Sequence, residues 1–336
     1  MKRMASALLV VLASGAGACA DDGFFRGKTI TIINSTGNSG SYFSLAQAVS
    51  RHMPKYIDGA PAMIVKSMPG AGNVLATNFM FNAAPKDGTH IATINNSIPL
   101  HQVINGRGVQ YDASKFNWLG STGTYNSVAY VWHTAGVKSV KDLYAREVLL
   151  GGTGPGSSIV IYPAAMNKIL GTKFKFILGY RATHEIDLAM ERGEVQARTG
   201  SYSGLRAEHP EWLAQKKVDI ILQIGAKRDP ELPDVPLLTE LGRTDAEREI
   251  LKLISSPISL GRPYLAPPGL PEVRLATLRR AFMATLRDPG FLDEAKKLDH
   301  DIDPQSAEDI TKIVMETINA PKAAIELARE IMGGVE

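Results

Sequence analysis

The chain has 336 residues, 44% hydrophobic and 21% charged, enough to bury one large core or two of medium size, and its single cysteine excludes a disulfide scaffold. Lys and Arg total 37 against 34 for Asp and Glu. A formal charge of +3 leaves no electrostatic footprint for nucleic acid.

Residues 1–20 read as an export signal. Lys2 and Arg3 precede an apolar run from Met4 to Leu12, and small residues continue to Ala20. The run is shorter than the ~20 apolar residues a spanning helix needs. Ala18-x-Ala20 fits cleavage before Asp21, with lipid anchoring through Cys19 as the competing reading.

Lys28 to Asn34 is a β-branched run ended by the turn-rich Ser35 to Ser41. Leu45, Ala48 and Val49 then form a helical stripe up to Pro54. A strand over Ala62 to Ser67 ends at Pro69-Gly70-Ala71-Gly72, a helix follows over Val74 to Ala84, and a strand over His90 to Asn95. Strand, Gly/Ser loop, helix and strand in this order mean α/β units with a parallel sheet, whose ligands sit where loops face helix N-termini.

The pattern recurs. Strands are expected at Ser127 to His133 and Glu147 to Gly151, the second feeding Gly152 to Ser158 and a helix to Leu170. A strand at Lys173 to Leu178, a helix at Thr183 to Arg192, a short strand at Gln196 to Thr199 and a polar loop at Gly200 to Gly204 follow. Val218 to Ile224 is a strand, a helix ends near Leu253, and Ile258 to Leu265 is extended. Helices over Glu272 to Leu286, Gly290 to Leu298, Ser306 to Ile318 and Pro321 to Met332 complete the chain.

Catalytic and cofactor motifs fail on spacing. Gly23 to Thr29 is one residue short of a P-loop and precedes a strand instead of following one. Gly70-Ala71-Gly72 lacks the third glycine of a dinucleotide fingerprint, and Gly200-Ser-Tyr-Ser-Gly204 centres on Tyr202 where a nucleophile elbow needs Ser. His184-Glu185 has no second His one turn on. A loop serine acting in a spatially assembled triad stays open.

Anion binding suits the loops better. A helix start leaves backbone N–H groups unpaired and carries partial positive charge, so Asn38 to Tyr42 and Thr153 to Ser158 can hold a carboxylate without Lys or Arg. Simple capping and turn formation explains either loop alone; two such loops, one in each half of the chain, favour a shared cleft.

Several segments in order carry a resemblance: Ser39-Gly-Ser-Tyr-Phe43, Ser67-Met-Pro-Gly-Ala-Gly72, Ala84-Pro-Lys-Asp-Gly-Thr89, Gly152-Thr-Gly-Pro-Gly-Ser-Ser158, Ala189-Met-Glu-Arg-Gly-Glu-Val195, Leu232-Pro-Asp-Val-Pro236 and Leu265-Ala-Pro-Pro-Gly269. From about Gly27 onward the chain resembles the Bug-type extracytoplasmic solute receptors of tripartite tricarboxylate transporters. The resemblance implies an α/β fold of the type II periplasmic binding protein kind, two α/β domains joined by two crossing strands, with domain one at 21–126 plus 258–336 and domain two at 127–257. It implies a monomeric periplasmic receptor, without enzyme activity, cofactor, metal or nucleic-acid partner, that delivers a small mono- or dicarboxylate, aromatic acids included, to membrane permease subunits. Its ligand contacts would come from Ser35, Asn38, Ser39, Gly40, Ser41, Tyr42 and Phe43, and from Thr153, Gly154, Gly156, Ser157 and Ser158. Gly70, Ala71, Asn96, Ser97, Tyr180, Arg181, Ser201 and Tyr202 would form the walls.

Two departures from the family bear on the ligand. Phe43 stands where many relatives carry Asp, and Arg181-Ala182 replaces a Gly-Gly type turn. A cleft holding both residues suits a dicarboxylate or an aromatic acid; Phe43 in the core and Arg181 in solvent is the competing reading. A secreted hydrolase and a ligand-sensing signalling subunit are the alternative functions.

Overall fold

The structure, a computed structural model, describes residues 23–332 except Asn105, Arg107, Gly156 and Ala226. The export signal, Cys19 and Gly156 lie outside the described residues.

The first half opens with β1 (Thr29–Asn34), α1 (Gly40–His52), β2 (Ala62–Ser67), α2 (Val74–Asn82), β3 (His90–Thr93), α3 (Ile98–Ile104) and β4 (Asn117–Ser121). The chain then crosses to β5 (Ser127–Trp132), α4 (Asp142–Ala145), β6 (Val148–Gly152), α5 (Ser158–Ala165), β7 (Phe174–Leu178) and α6 (Thr183–Glu191). After β8 (Ala197–Ser201), α7 (Tyr202–Glu208), α8 (Pro210–Ala214), β9 (Val218–Ile224) and α9 (Asp245–Ser255) it returns through β10 (Pro263–Ala266). It ends in α10 (Glu272–Thr285), α11 (Pro289–Lys297), α12 (Ala307–Ile318) and α13 (Lys322–Met332).

Two five-stranded mixed sheets result, ordered β2-β1-β3-β10-β4 and β7-β6-β8-β5-β9. In the first, β1 runs parallel to β2 and β3 while β10 is antiparallel to β3 and β4. In the second, β6 is parallel to β7 and β8 while β5 is antiparallel to β8 and β9. In each sheet one antiparallel strand is thus inserted by a chain segment that has just crossed between the halves. Inner strand β1 is buried on both faces at its end, as a covered parallel strand must be, whereas edge strand β2 alternates along its length. Helix α5 is buried at every position and lies in the interior of its half.

Four segments differ from the sequence expectation. Ile98–Ile104 and Asn117–Ser121 form α3 and β4. The expected polar loop at Gly200 to Gly204 instead ends β8 and starts α7, because the Ser201 hydroxyl accepts the Gly204 N–H as an N-cap. The extended run Ile258 to Leu265 is broken into a 3-10 turn, Ser256–Leu260, and β10; Gly261 between them has φ +59, which only glycine adopts readily.

The core of the second sheet is not built from its own half alone. Leu100 and Ile104 of α3 and Ala328 of α13 join Leu150, Ile161, Leu251 and Ile254 in one buried cluster. Helix α13 packs against α3, α5 and α9. Among the described residues no helix is long and apolar enough to cross a membrane.

Candidate functional site

A cleft of about 80 Å³ lies where the two halves face each other. At roughly 10–15 Å³ per water-sized group, it holds about half a dozen such groups. The first half contributes Ser35, Thr36, Ser39, Gly40, Ser41, Tyr42, Gly70, Gly72, Asn73 and Asn95. The second contributes Thr153, Ser157, Ser158, Arg181, Thr183, Arg198, Thr199, Ser201 and Glu208, with Tyr125 and Ser127 from the crossing. Most of the lining comes from the loops after β1, β2, β3, β6 and β7 and the helix starts that follow, as the α/β pattern requires, while Arg198 and Thr199 lie within β8 and Glu208 ends α7.

The halves touch directly. Ser39 Oγ and His184 Nδ1 are 3.0 Å apart, Ser41 Oγ and Ser201 Oγ 3.4 Å, and Asn95 Nδ2 donates to Ser158 Oγ at 3.4 Å. Gly154 has φ +152, and a Cβ there would fall 2.8 Å from the Gly72 nitrogen across the cleft. Both glycines therefore belong to the meeting of the loops.

Two helix starts face the cavity in different states. At α5, Ser157 is the N-cap, its hydroxyl accepting the Ile159 N–H at 3.3 Å. At α1, the Ser39 hydroxyl makes no cap bond, and the carboxylate of Glu208 from α7 lies beside Gly40. A Cβ on Gly40 would lie 3.6 Å from Glu208 Oε1. Burial raises Glu208 above its ordinary value and Asp187 adds to this, while Arg198, His209 and the Gly40 amide oppose it.

Behind the cavity floor, Arg198 donates through Nε and Nη2 to the two oxygens of Asp187 at 2.6 and 3.1 Å, both residues being buried. His209 Nε2 lies 3.1 Å from Asp187 Oδ2 and stacks on Trp212 with ring centroids 3.8 Å apart. Burial alone would raise Asp187, but Arg198 and then His209 outweigh it and hold the carboxyl below its usual range. Asp187, Glu208 and His209 bring ligand atoms within 4.8 Å of one another, but the Arg198 guanidinium already supplies the positive charge there.

A second buried cation joins the halves. Arg262 donates to Ser41 Oγ at 3.1 Å and Ser203 Oγ at 3.0 Å, and its guanidinium lies 4.2 Å from the centroid of the Tyr125 ring.

Of the residues expected from sequence, Ser35, Ser39, Gly40, Ser41, Tyr42, Gly70, Thr153, Ser157, Ser158, Arg181 and Ser201 line the cavity. Asn38 and Ala71 are exposed beside it, and Gly154 is buried against Gly72. Asn96 is buried below, its amide N–H donating to the Tyr42 hydroxyl at 3.2 Å, and Ser97 bonds Asn95 at 2.5 Å. Tyr180 is half-buried outside the lining, and Tyr202 turns its hydroxyl to Glu231 at 3.1 Å. Phe43 is absent from the cleft lining and from the deep core; it lines an adjoining groove with Ser44, His184 and His300, which shares Ser39, Gly40 and Glu208 with the cleft. Sequence reasoning missed Asn95, Tyr125, Ser127, Arg198, Thr199 and Glu208. For Arg198 a signal existed, since a charged residue inside a short apolar strand is buried only with a partner.

Two α/β halves crossed twice by the chain and meeting over a polar cleft define a binding protein of the type II periplasmic architecture. The sequence profile of the "Tripartite tricarboxylate transporter family receptor" family matches residues 46–329, and the chain belongs to that family. It is 25% identical over 270 residues to the "UPF0065 protein in gbd 5'region" of Cupriavidus necator, covering 79% of this chain and 77% of that protein. The fold is similar to the periplasmic binding protein BugD, with TM-score 0.73 and 18% identity over 92% of this chain and 98% of BugD. It is also similar to MatC from Rhodopseudomonas palustris with bound malate, with TM-score 0.71 and 16% identity over 91% of this chain and 99% of MatC. A further R. palustris protein, solved with adipate, has TM-score 0.71 and 17% identity, covering 91% of this chain and 97% of that one.

Proposed function

We propose that this protein is a periplasmic receptor that closes on a small organic acid and presents it to the permease subunits of its transporter. The observation that carries the reading is the α5 start, where Thr153, Ser157 and Ser158 face the first half over a cavity sized for a small molecule. A carboxylate there would meet the hydroxyls of Thr153 and Ser158 and the positive end of α5 from one half and Asn95 and Ser35 from the other, so binding favours the closed state. The moving units in this reading are 21–126 with 258–336, and 127–257, with α3 and α13 of the first packed into the core of the second. Malate and adipate in the two R. palustris structures fit this ligand class.

The Ser39–His184 contact is the one feature that favours a hydrolase. Among the described residues no carboxylate bonds the other nitrogen of His184 to orient it, as a triad would need. A thermal-shift screen against organic acids tests both readings. A bound acid at ~100 times its Kd should stabilise the fold by roughly 2.7 kcal/mol and be recovered chemically unchanged. Turnover that disappears in Ser39→Ala would replace the receptor reading with the hydrolase one.

A further inference from the structure

The cleft is chemically uneven along its length. At the α5 end it meets the hydroxyls of Thr153 and Ser158, both able to donate, at a helix start whose Ile159, Val160 and Ile161 amides are already bonded to Ser157. At the α1 end it meets a carboxylate. Glu208 reaches across from α7 to lie beside Gly40, so the start of α1 already faces an anion of the protein's own. The nearest buried cation does not cancel that charge by direct contact, because Nε and Nη2 of Arg198 are engaged by Asp187.

We propose that Glu208 sets the class of ligand: the protein takes an acid whose far end carries a hydrogen-bond donor, a hydroxyl or an ammonium, and rejects one with a second carboxylate there. This rests on the reading of the cleft as a carboxylate site. With the ligand's carboxylate at the α5 loop, its other end is directed toward Glu208, Ser39 and Gly40. A second carboxylate placed there sits beside Glu208 in a closed cleft from which most water is excluded, and like charges repel strongly in such surroundings. A hydroxyl or ammonium instead finds a charged acceptor, which makes the stronger kind of hydrogen bond.

Calorimetric titration of the wild type and Glu208→Gln with chain-matched acids decides it. The probes are succinate, 4-hydroxybutyrate and 4-aminobutyrate, with the next two longer homologues of each. The wild type should bind a hydroxy or amino acid roughly tenfold or more tighter than the diacid of equal length, the effect of one charge-assisted hydrogen bond. Glu208→Gln keeps the size and removes the charge, so it should narrow that ratio by about tenfold. A wild-type preference for the diacid overturns the assignment whether or not the variant folds. An unchanged ratio in a folded Glu208→Gln overturns it as well. Failure of every acid to bind overturns the carboxylate reading itself, and the role of Glu208 with it.

Discussion

The Ser157 hydroxyl caps α5 through the Ile159 N–H, so its first contribution is to the fold. Ser157→Ala should lower the unfolding free energy by about 1 kcal/mol, as loss of an N-cap does. Urea denaturation measures this; unchanged stability would mean that the hydroxyl serves only the cleft. The Asp187–Arg198 pair has larger consequences. Asp187→Ala leaves a buried guanidinium without its partner and should cost about 3–5 kcal/mol in the same experiment. Asp187 and its neighbour His209 respond oppositely to pH. Burial disfavours the charged form of His209, but Asp187 outweighs this and raises the ring above 6.5. Its contribution is then complete below 6.5 and fades as pH rises through the folded value. Asp187 is held below 3.8, so its contribution is complete above 3.8 and is lost as pH falls through its folded value. The wild type should therefore lose stability as pH rises above 6.5, and His209→Gln should show a flatter profile there. Arg181, exposed at the rim, acts earlier in binding: Arg181→Ala should slow acid association and weaken its salt dependence, with little effect on dissociation in stopped-flow measurements.

At the level of elements, the closest approach is between the loops of Gly72 and Gly154. Gly154→Val places a side chain where the facing backbone lies and imposes a φ that valine avoids. The variant should keep both sheets by circular dichroism yet lose most ligand-induced stabilisation, because the halves can no longer meet. These loops were legible in the sequence because glycine and hydroxyl residues between a β-branched run and a helical stripe have few other uses. The strands β2 and β9 were legible over their full extent for the related reason that each is a clean extended run. The start of α7 was not: Ser201, Ser203 and Gly204 have turn composition, and only the bond from the Gly204 N–H to Ser201 turns that composition into a cap. β4 was hidden by Gly120, whose φ of +137 and shifted register against β10 interrupt the strand pattern. Glu208, the last residue of α7, carried no local signal at all. It meets Gly40 of the other half across the cleft, a relation that no sequence periodicity encodes.

Across the whole molecule, Arg262 makes hydrogen bonds to both halves at once, to Ser41 in one and Ser203 in the other. Arg262→Lys keeps the charge but not the planar fork that reaches both hydroxyls. Acid affinity should fall by about 1–3 kcal/mol without any change in the order of preferred acids, as calorimetry would read it. The strand order has a consequence of another kind. β3 and β4 do not pair with each other; each pairs with β10, which is made far later in the chain. The cluster around α3 and α5 likewise waits for Ala328. During synthesis, then, neither half can be completed from the residues already made, and contacts this distant in sequence form slowly. A growing polypeptide of this kind can close its first sheet only once β10 has been made, long after β3 and β4 have left the site of synthesis.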